Sequence, residues 1–195
     1  MPSIRPTLKA LRPLPMFDAA RLIAALSAFV LCVSLSAGSA LADAPQLLGQ
    51  FEKWGAYTFG SGKSRICYVL AEPTEMQPSN VKRGDVYFMV THRPAEKVMG
   101  EISTRIGYPF GDKSRPSARI GNARFTMFTG ASQGGESAHW AWLEDEAKED
   151  VMIRAMKKGL TMTVTGTSAR GTETTDTYSL SGVTAALNRI DEECK

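Results

Sequence analysis

The sequence predicts a mainly β, single-domain antiparallel β-sandwich with one short surface helix and one C-terminal helix. Three observations predict it. Short runs rich in β-branched and aromatic residues recur between turns containing Gly or Pro. Only two stretches follow helical spacing. The 153 residues after position 42 can enclose one core and are too few for two comfortable ones.

The first segment sets the frame for the rest. Arg5, Lys9, Arg12 and Arg21 stand against a single acid, Asp18, before an uncharged run from Leu22 to Ala42. Its apolar core, about fifteen residues before Gly38 and Ser39, is shorter than the roughly 20 that a membrane-spanning helix needs. The run ends in Ala40-Leu41-Ala42, a small-x-small pattern. Residues 1–42 therefore read as a signal peptide cleaved between Ala42 and Asp43, with the domain over 43–195. A start at Met16 would give a signal of more ordinary length. Cys32 has Val30 and Leu31 before it, which does not suit lipid attachment. Four of the 23 basic residues and one of the 20 acids leave with this segment. The remaining chain carries 19 of each, so the +3 formal charge gives no support for nucleic acid or an anionic membrane as a partner. No membrane span is expected after cleavage.

The strands follow in order. FEKWGAYTF (51–59) and RICYVLAEP (65–73) flank Gly60-Ser61-Gly62, a hairpin signal. EPTEMQPSNVKRGD (72–85) reads as the most flexible loop. DVYFMVTHRP (85–94), VMGEISTRIGYPF (98–110) and ARFTMFTG (123–130) read as strands, and SAHWAWL (137–143) puts Trp140 and Trp142 on one face. That pair reads as core rather than as an aromatic platform for sugar. DEAKEDVMIRAMKKG (145–159) is the surface helix: acids open it, Lys157 and Lys158 close it, Gly159 fits a C-cap, and Ala147, Val151, Ala155 and Lys158 trace its stripe. LTMTVTGT (160–167) alternates cleanly, and with TETTDTYSL it presents Thr161, Thr163, Thr165, Thr172 and Thr174 as a polar, solvent-side face. Ser181 reads as the N-cap of the last helix, whose apolar positions Val183, Ala186, Leu187 and Ile190 are extended by Cys194.

Loss of the signal segment leaves two cysteines, Cys67 and Cys194. In an exported chain an even pair reads as a disulfide. Asp191, Glu192 and Glu193 at the helix C-terminus would raise a thiol pKa at Cys194, the opposite of what a nucleophile needs.

Little else suggests chemistry. His92 and His139 have no ligand partners at zinc spacing. Tyr178-Ser179-Leu180-Ser181-Gly182 does not match the nucleophile elbow. Gly60-Ser61-Gly62-Lys63-Ser64 lacks the first glycine of a phosphate loop. Glu144, Asp145, Glu146, Glu149 and Asp150 lack the alternating oxygen ligands of a calcium loop and read as a solvated helix start. No catalytic residue, cofactor or metal is expected.

The C-terminal stretch AMKKGLTMTVTGTSARGTETTDTYSLSGVTAALNRIDEEC, with Trp54, Cys67-Tyr68, Arg83-Gly84-Asp85-Val86-Tyr87, Thr91-His92-Arg93-Pro94 and Gly107-Tyr108-Pro109-Phe110 upstream, resembles the invasion-associated locus B family. The resemblance covers roughly Gln50 to Cys194. It implies an exported, mainly β protein of a Gram-negative envelope, periplasmic or secreted, in a family named for a virulence locus and without established catalytic residues. Many members carry a cysteine shortly after the first Trp. Here Gly55-Ala56-Tyr57-Thr58 has none, which leaves Cys67 to bond Cys194. Two functions are carried forward. One is a non-catalytic binding or host-interaction protein with an unidentified envelope or host-surface partner. The other is a small envelope hydrolase or carbohydrate-binding protein, which requires His92 or His139 beside a carboxylate or serine in a cleft.

Overall fold

A computed structural model describes residues 44–195. The signal-peptide reading and its cleavage point at Ala42 and Asp43 lie outside the described residues. The strands are β1 (Gln46–Phe51), β2 (Trp54–Phe59), β3 (Ile66–Ala71), β4 (Glu75–Gln77), β5 (Val86–Arg93), β6 (Val98–Ile106), β7 (Ser117–Ile120), β8 (Ala123–Thr129), β9 (Trp140–Leu143), β10 (Thr161–Thr167) and β11 (Glu173–Ser179). The helices are α1 (Glu149–Lys158), between β9 and β10, and α2 (Val183–Glu193), after β11.

All strand pairs are antiparallel in one 11-stranded sheet, ordered β1-β2-β3-β5-β6-β9-β8-β7-β10-β11-β4. The two layers expected of a sandwich are therefore one sheet doubled over. β11, near one end, lies against β2 and β5 near the other. The Trp54 indole N–H donates to the Ser179 carbonyl at 2.9 Å, and the Phe88 and Tyr178 rings meet edge to face at 5.9 Å. Helix α2 covers the inner side of β1 to β3 with the stripe read from its spacing: Val183, Ala186, Leu187, Ile190 and Cys194 are all buried.

The segment 72–85 is not a free loop. β4 pairs with β11, and the Arg83 side chain is tucked in, 4% exposed. Its guanidinium donates to both oxygens of Asp176, at 2.5 and 2.6 Å, and twice to the Ile106 carbonyl. The same group lies 5.2 Å over the Tyr108 ring. Burial raises the Asp176 carboxyl pKa, and the Arg83 N–H groups pull against that rise.

Two local expectations change, and the C-cap expected at Gly159 holds for a different reason. In α1 the buried residues are Met152 and Met156, one turn apart, while Val151 is exposed. The stripe is rotated by one position because two long, flexible methionines reach the core where the smaller Ala147 and Val151 would not. Gly159 ends this helix with φ −80°, not in the left-handed region. It is needed for space, since a Cβ would stand 2.7 Å from Ile120 and 2.8 Å from Leu180. Ser181 does not cap α2; Gly182 does, at φ +92°, and a Cβ there would run into the Phe51 carbonyl. Gly182→Ala should therefore lose about 2 kcal/mol or more in urea denaturation, from left-handed strain and a backbone clash together. A loss under about 0.5 kcal/mol would show that the β1–α2 contact yields easily.

Helix α1 also carries a pH-sensitive group. Glu149 has its carboxyl pKa raised by burial, with Glu101, Glu146 and Asp150 adding to the rise and the Ile102 N–H opposing it. A raised folded-state carboxyl pKa favours the protonated form, so this contribution is present in acid and is lost as pH rises through the folded value. Glu149→Gln should match wild type at a pH below the ordinary carboxylate range and exceed it at neutral pH. Equal urea midpoints at both pH values would overturn the assignment.

Candidate functional site

Strand alternation determines which residues share a face, and burial of the opposite set decides which face meets solvent. In β9 the buried residues are Ala141 and Leu143, so Trp140 and Trp142 point outward. The core reading of this pair is corrected. Across the sheet, Trp142 is in register with Phe128 of β8 and Ser103 of β6, and Ser103 with Met89 of β5. One row over, Trp140 faces Arg105 of β6, which faces Tyr87 of β5.

These side chains form a continuous array. Phe128 and Trp142 stack at 5.7 Å, Trp142 and Trp140 at 6.3 Å, and Tyr87 meets Trp140 edge-on at 5.5 Å. Further along the same face, Tyr57 and Tyr68 stack at 5.2 Å. Burial is the largest cause raising the Tyr68 and Tyr87 hydroxyl pKa values, so both remain neutral donors. Arg105 is held between the aromatic rows by the Asp85 carbonyl at 3.0 Å and Glu136 at 3.2 Å. Trp142 has Phe128 on one side and Trp140 on the other, so these rings occupy each other's faces. The array is a ridge of ring edges with one fixed cation, not the open flat platform that sugar stacking uses.

The other singled-out residues fall elsewhere. His92 is buried; its Nδ1 accepts from the Gly100 N–H at 2.9 Å, so its Nε2 carries the proton and donates to Asp191 at 2.8 Å. A histidine–carboxylate pair is thus present, but no serine joins it among the described residues. Cys67 is in register with His92. Cys67 and Cys194 are bonded, with Cα atoms 6.0 Å apart. Together with Arg65–Glu193 at 2.8 Å, the bond and the His92–Asp191 pair tie the end of α2 to β3 and β5. His139 has no side-chain partner at its buried Nδ1 among the described residues. Gly62–Ser64 is one exposed 3-10 turn with no helix behind it. In the acidic cluster, Glu144 pairs with Arg115 and Asp145 with Lys148. No group of three His, Cys, Asp or Glu side chains among the described residues is arranged to hold a metal. Thr163 and Thr165 face outward as expected, but Thr174 faces inward onto the Tyr108 hydroxyl at 2.7 Å. The outward threonines of β11 are Thr175 and Thr177.

Residues 135–191 match the model of the family described as Invasion associated locus B (IalB) protein. The family resemblance holds. The crystal structure of invasion associated protein b from Bartonella henselae shares the IalB-like fold, with a TM-score of 0.53 at 12% identity over 74% of this chain and 96% of that one. A search of the curated proteins returns no match. Within the IalB-like segment lie Trp140 and Trp142, both helices apart from the last residues of α2, and Asp176; Tyr87, Arg105 and Phe128 come from outside it. No single motif in the sequence exposes this face. The period-two pairs Tyr87/Met89 and Trp140/Trp142 are its only local signal, and alternation does not say which side is wet.

Proposed function

We propose that this chain is an exported envelope protein, periplasmic or secreted, that acts by binding rather than catalysis and docks a partner protein on the outward aromatic face. The observation that carries the reading is the Phe128–Trp142–Trp140–Tyr87 array with Arg105 set in it. Trp, Tyr and Arg dominate the energetic centres of protein interfaces, and a contiguous group of them half out of water suits a partner surface better than bulk solvent. The leader-like residues 1–42 and the Cys67–Cys194 bond support export into an oxidising compartment. Among the described residues no helix is long and apolar enough to cross a membrane. Host surface and envelope are both open as the partner's location, in line with the locus for which the family is named.

Two measurements test this. Intact mass of protein recovered from the periplasm should start at Asp43 and be lighter by the two hydrogens of a disulfide, with no thiol alkylated before reduction. Retention of residues 1–42 would overturn export. For the face, a photo-crosslinking residue is placed at Phe128, 44% exposed, and separately at Val151 on α1, 46% exposed. A discrete adduct from Phe128 alone, lost in Trp142→Ala, supports docking there. Identical adducts from both positions, or none in envelope and host-cell preparations, would overturn it.

A further inference from the structure

Further along the outward side, across β8, β7 and β10, the sheet carries a different chemistry. Arg119 of β7 stands directly opposite Arg124 of β8, and on its other side opposite Thr163 of β10. Both arginines are exposed, and neither forms an ion pair among the described residues. Like charges directly opposite in an antiparallel pair destabilise the sheet, and sequences usually alternate signs there. The next row places Ser117 between Thr165 and Thr126, with the Ser117 and Thr165 hydroxyls 3.1 Å apart. Arg119, Arg124, Thr163, Ser117 and Thr165 line a groove of about 360 Å³ whose one carboxylate is Glu173, opposite Thr167 and away from the arginine row. Arg115 also lines it but is engaged by Glu144 at 3.2 Å.

We propose that this groove binds a phosphate monoester, held by the opposed guanidinium groups of Arg119 and Arg124 and by the Thr163 hydroxyl beside them. The charges match. A phosphate monoester carries close to two negative charges at neutral pH and offers oxygens for the planar donor forks of two arginines. Binding relieves the repulsion that the empty register imposes, so the feature that is unfavourable in the free protein becomes favourable in the complex. The Thr163 hydroxyl beside Arg119 supplies a neutral donor that a phosphate or the alcohol part of its ester can use, while the Ser117 and Thr165 hydroxyls bond to each other and to the Ser117 carbonyl. Arg124 lies on the same side of β8 as Phe128, with Thr126 between them, but the groove shares no lining residue with the aromatic array, and nothing in it requires a protein partner.

The disulfide-intact domain is titrated with glucose 6-phosphate, with inorganic phosphate, with acetate, and with vesicles containing phosphatidic acid, following the backbone N–H signals of β7, β8 and β10 by NMR in wild type and variant alike. A saturable shift is expected, weakened at least about tenfold in Arg119→Gln/Arg124→Gln. Because the substitutions also remove like-charge repulsion, the variant's thermal midpoint without ligand should equal or exceed that of wild type. Preference for the sugar phosphate identifies a soluble ester as ligand, and preference for the vesicles identifies a lipid headgroup; either supports the site. Equal response to glucose 6-phosphate and to acetate, no saturation, or unchanged affinity in the double variant would each overturn the proposal.

Discussion

Removing the bond between Cys67 and Cys194 is expected to lower stability by about 4 kcal/mol, read as a fall of roughly 10 °C in thermal midpoint. The bond closes a loop of 127 residues. In the chain-entropy model, loops of that length give the largest effects, because the reduced chain regains nearly all its freedom on unfolding. Both sulfurs are buried, so Cys67→Ala/Cys194→Ala also loses some packing. The folded state itself should change little. Val183, Ala186, Leu187 and Ile190 still bury the α2 stripe, and His92–Asp191 and Arg65–Glu193 still hold its end. Paired urea curves with and without reductant, on wild type and the double variant, measure the effect. A reductant-sensitive wild type beside an insensitive variant is the expected pattern. Coincident curves for all four would show that the bond contributes nothing to stability.

The second large effect lies at Arg83 and Asp176. Asp176→Ala should cost about 3–5 kcal/mol, since it leaves a guanidinium buried without its counter-charge. Arg83→Met should cost a similar amount by orphaning a carboxylate that is 1% exposed. The combination Arg83→Met/Asp176→Leu should recover most of the loss, because a buried pair is expensive to break and cheap to replace with apolar side chains. A double-mutant cycle in urea reads this directly. Simple additivity would mean that the pair is solvated in solution and that the two ends of the sheet meet less closely than Phe88 and Tyr178 indicate.

Fold class was legible because it rests on local pattern. Met162 and Val164 alternate with threonines, and the apolar spacing of α2 survives intact into the folded chain. What was not legible divides into two kinds. Short elements lack enough residues to show a period: β4 is Glu-Met-Gln with all three exposed, β7 has four residues, and β1 is interrupted by a register shift between Leu47 and Gly49. The second kind is tertiary. Alternation paired Trp140 with Trp142 and Thr174 with Thr172, but the side that is buried depends on what the rest of the chain lays against the strand. Ala141 and Leu143 reach the core, and so the tryptophans do not. The opposition of Arg119 and Arg124 required a register, and Arg83 meets Asp176 across 93 positions of sequence.

The joining of β3 to the end of α2 also decides how the molecule would bear a pull. Tension applied between the lead-in to β1 and the far end of α2 enters at β1, passes through β2 to Cys67, crosses the sulfur bridge, and leaves at Cys194. Everything between those two cysteines, including the aromatic ridge and the arginine groove, lies off the load path. Stretched oxidised protein could release only the hairpin and its lead-in, at no more than about 3.6 Å per residue. The aromatic ridge and the arginine groove would keep their shape under load.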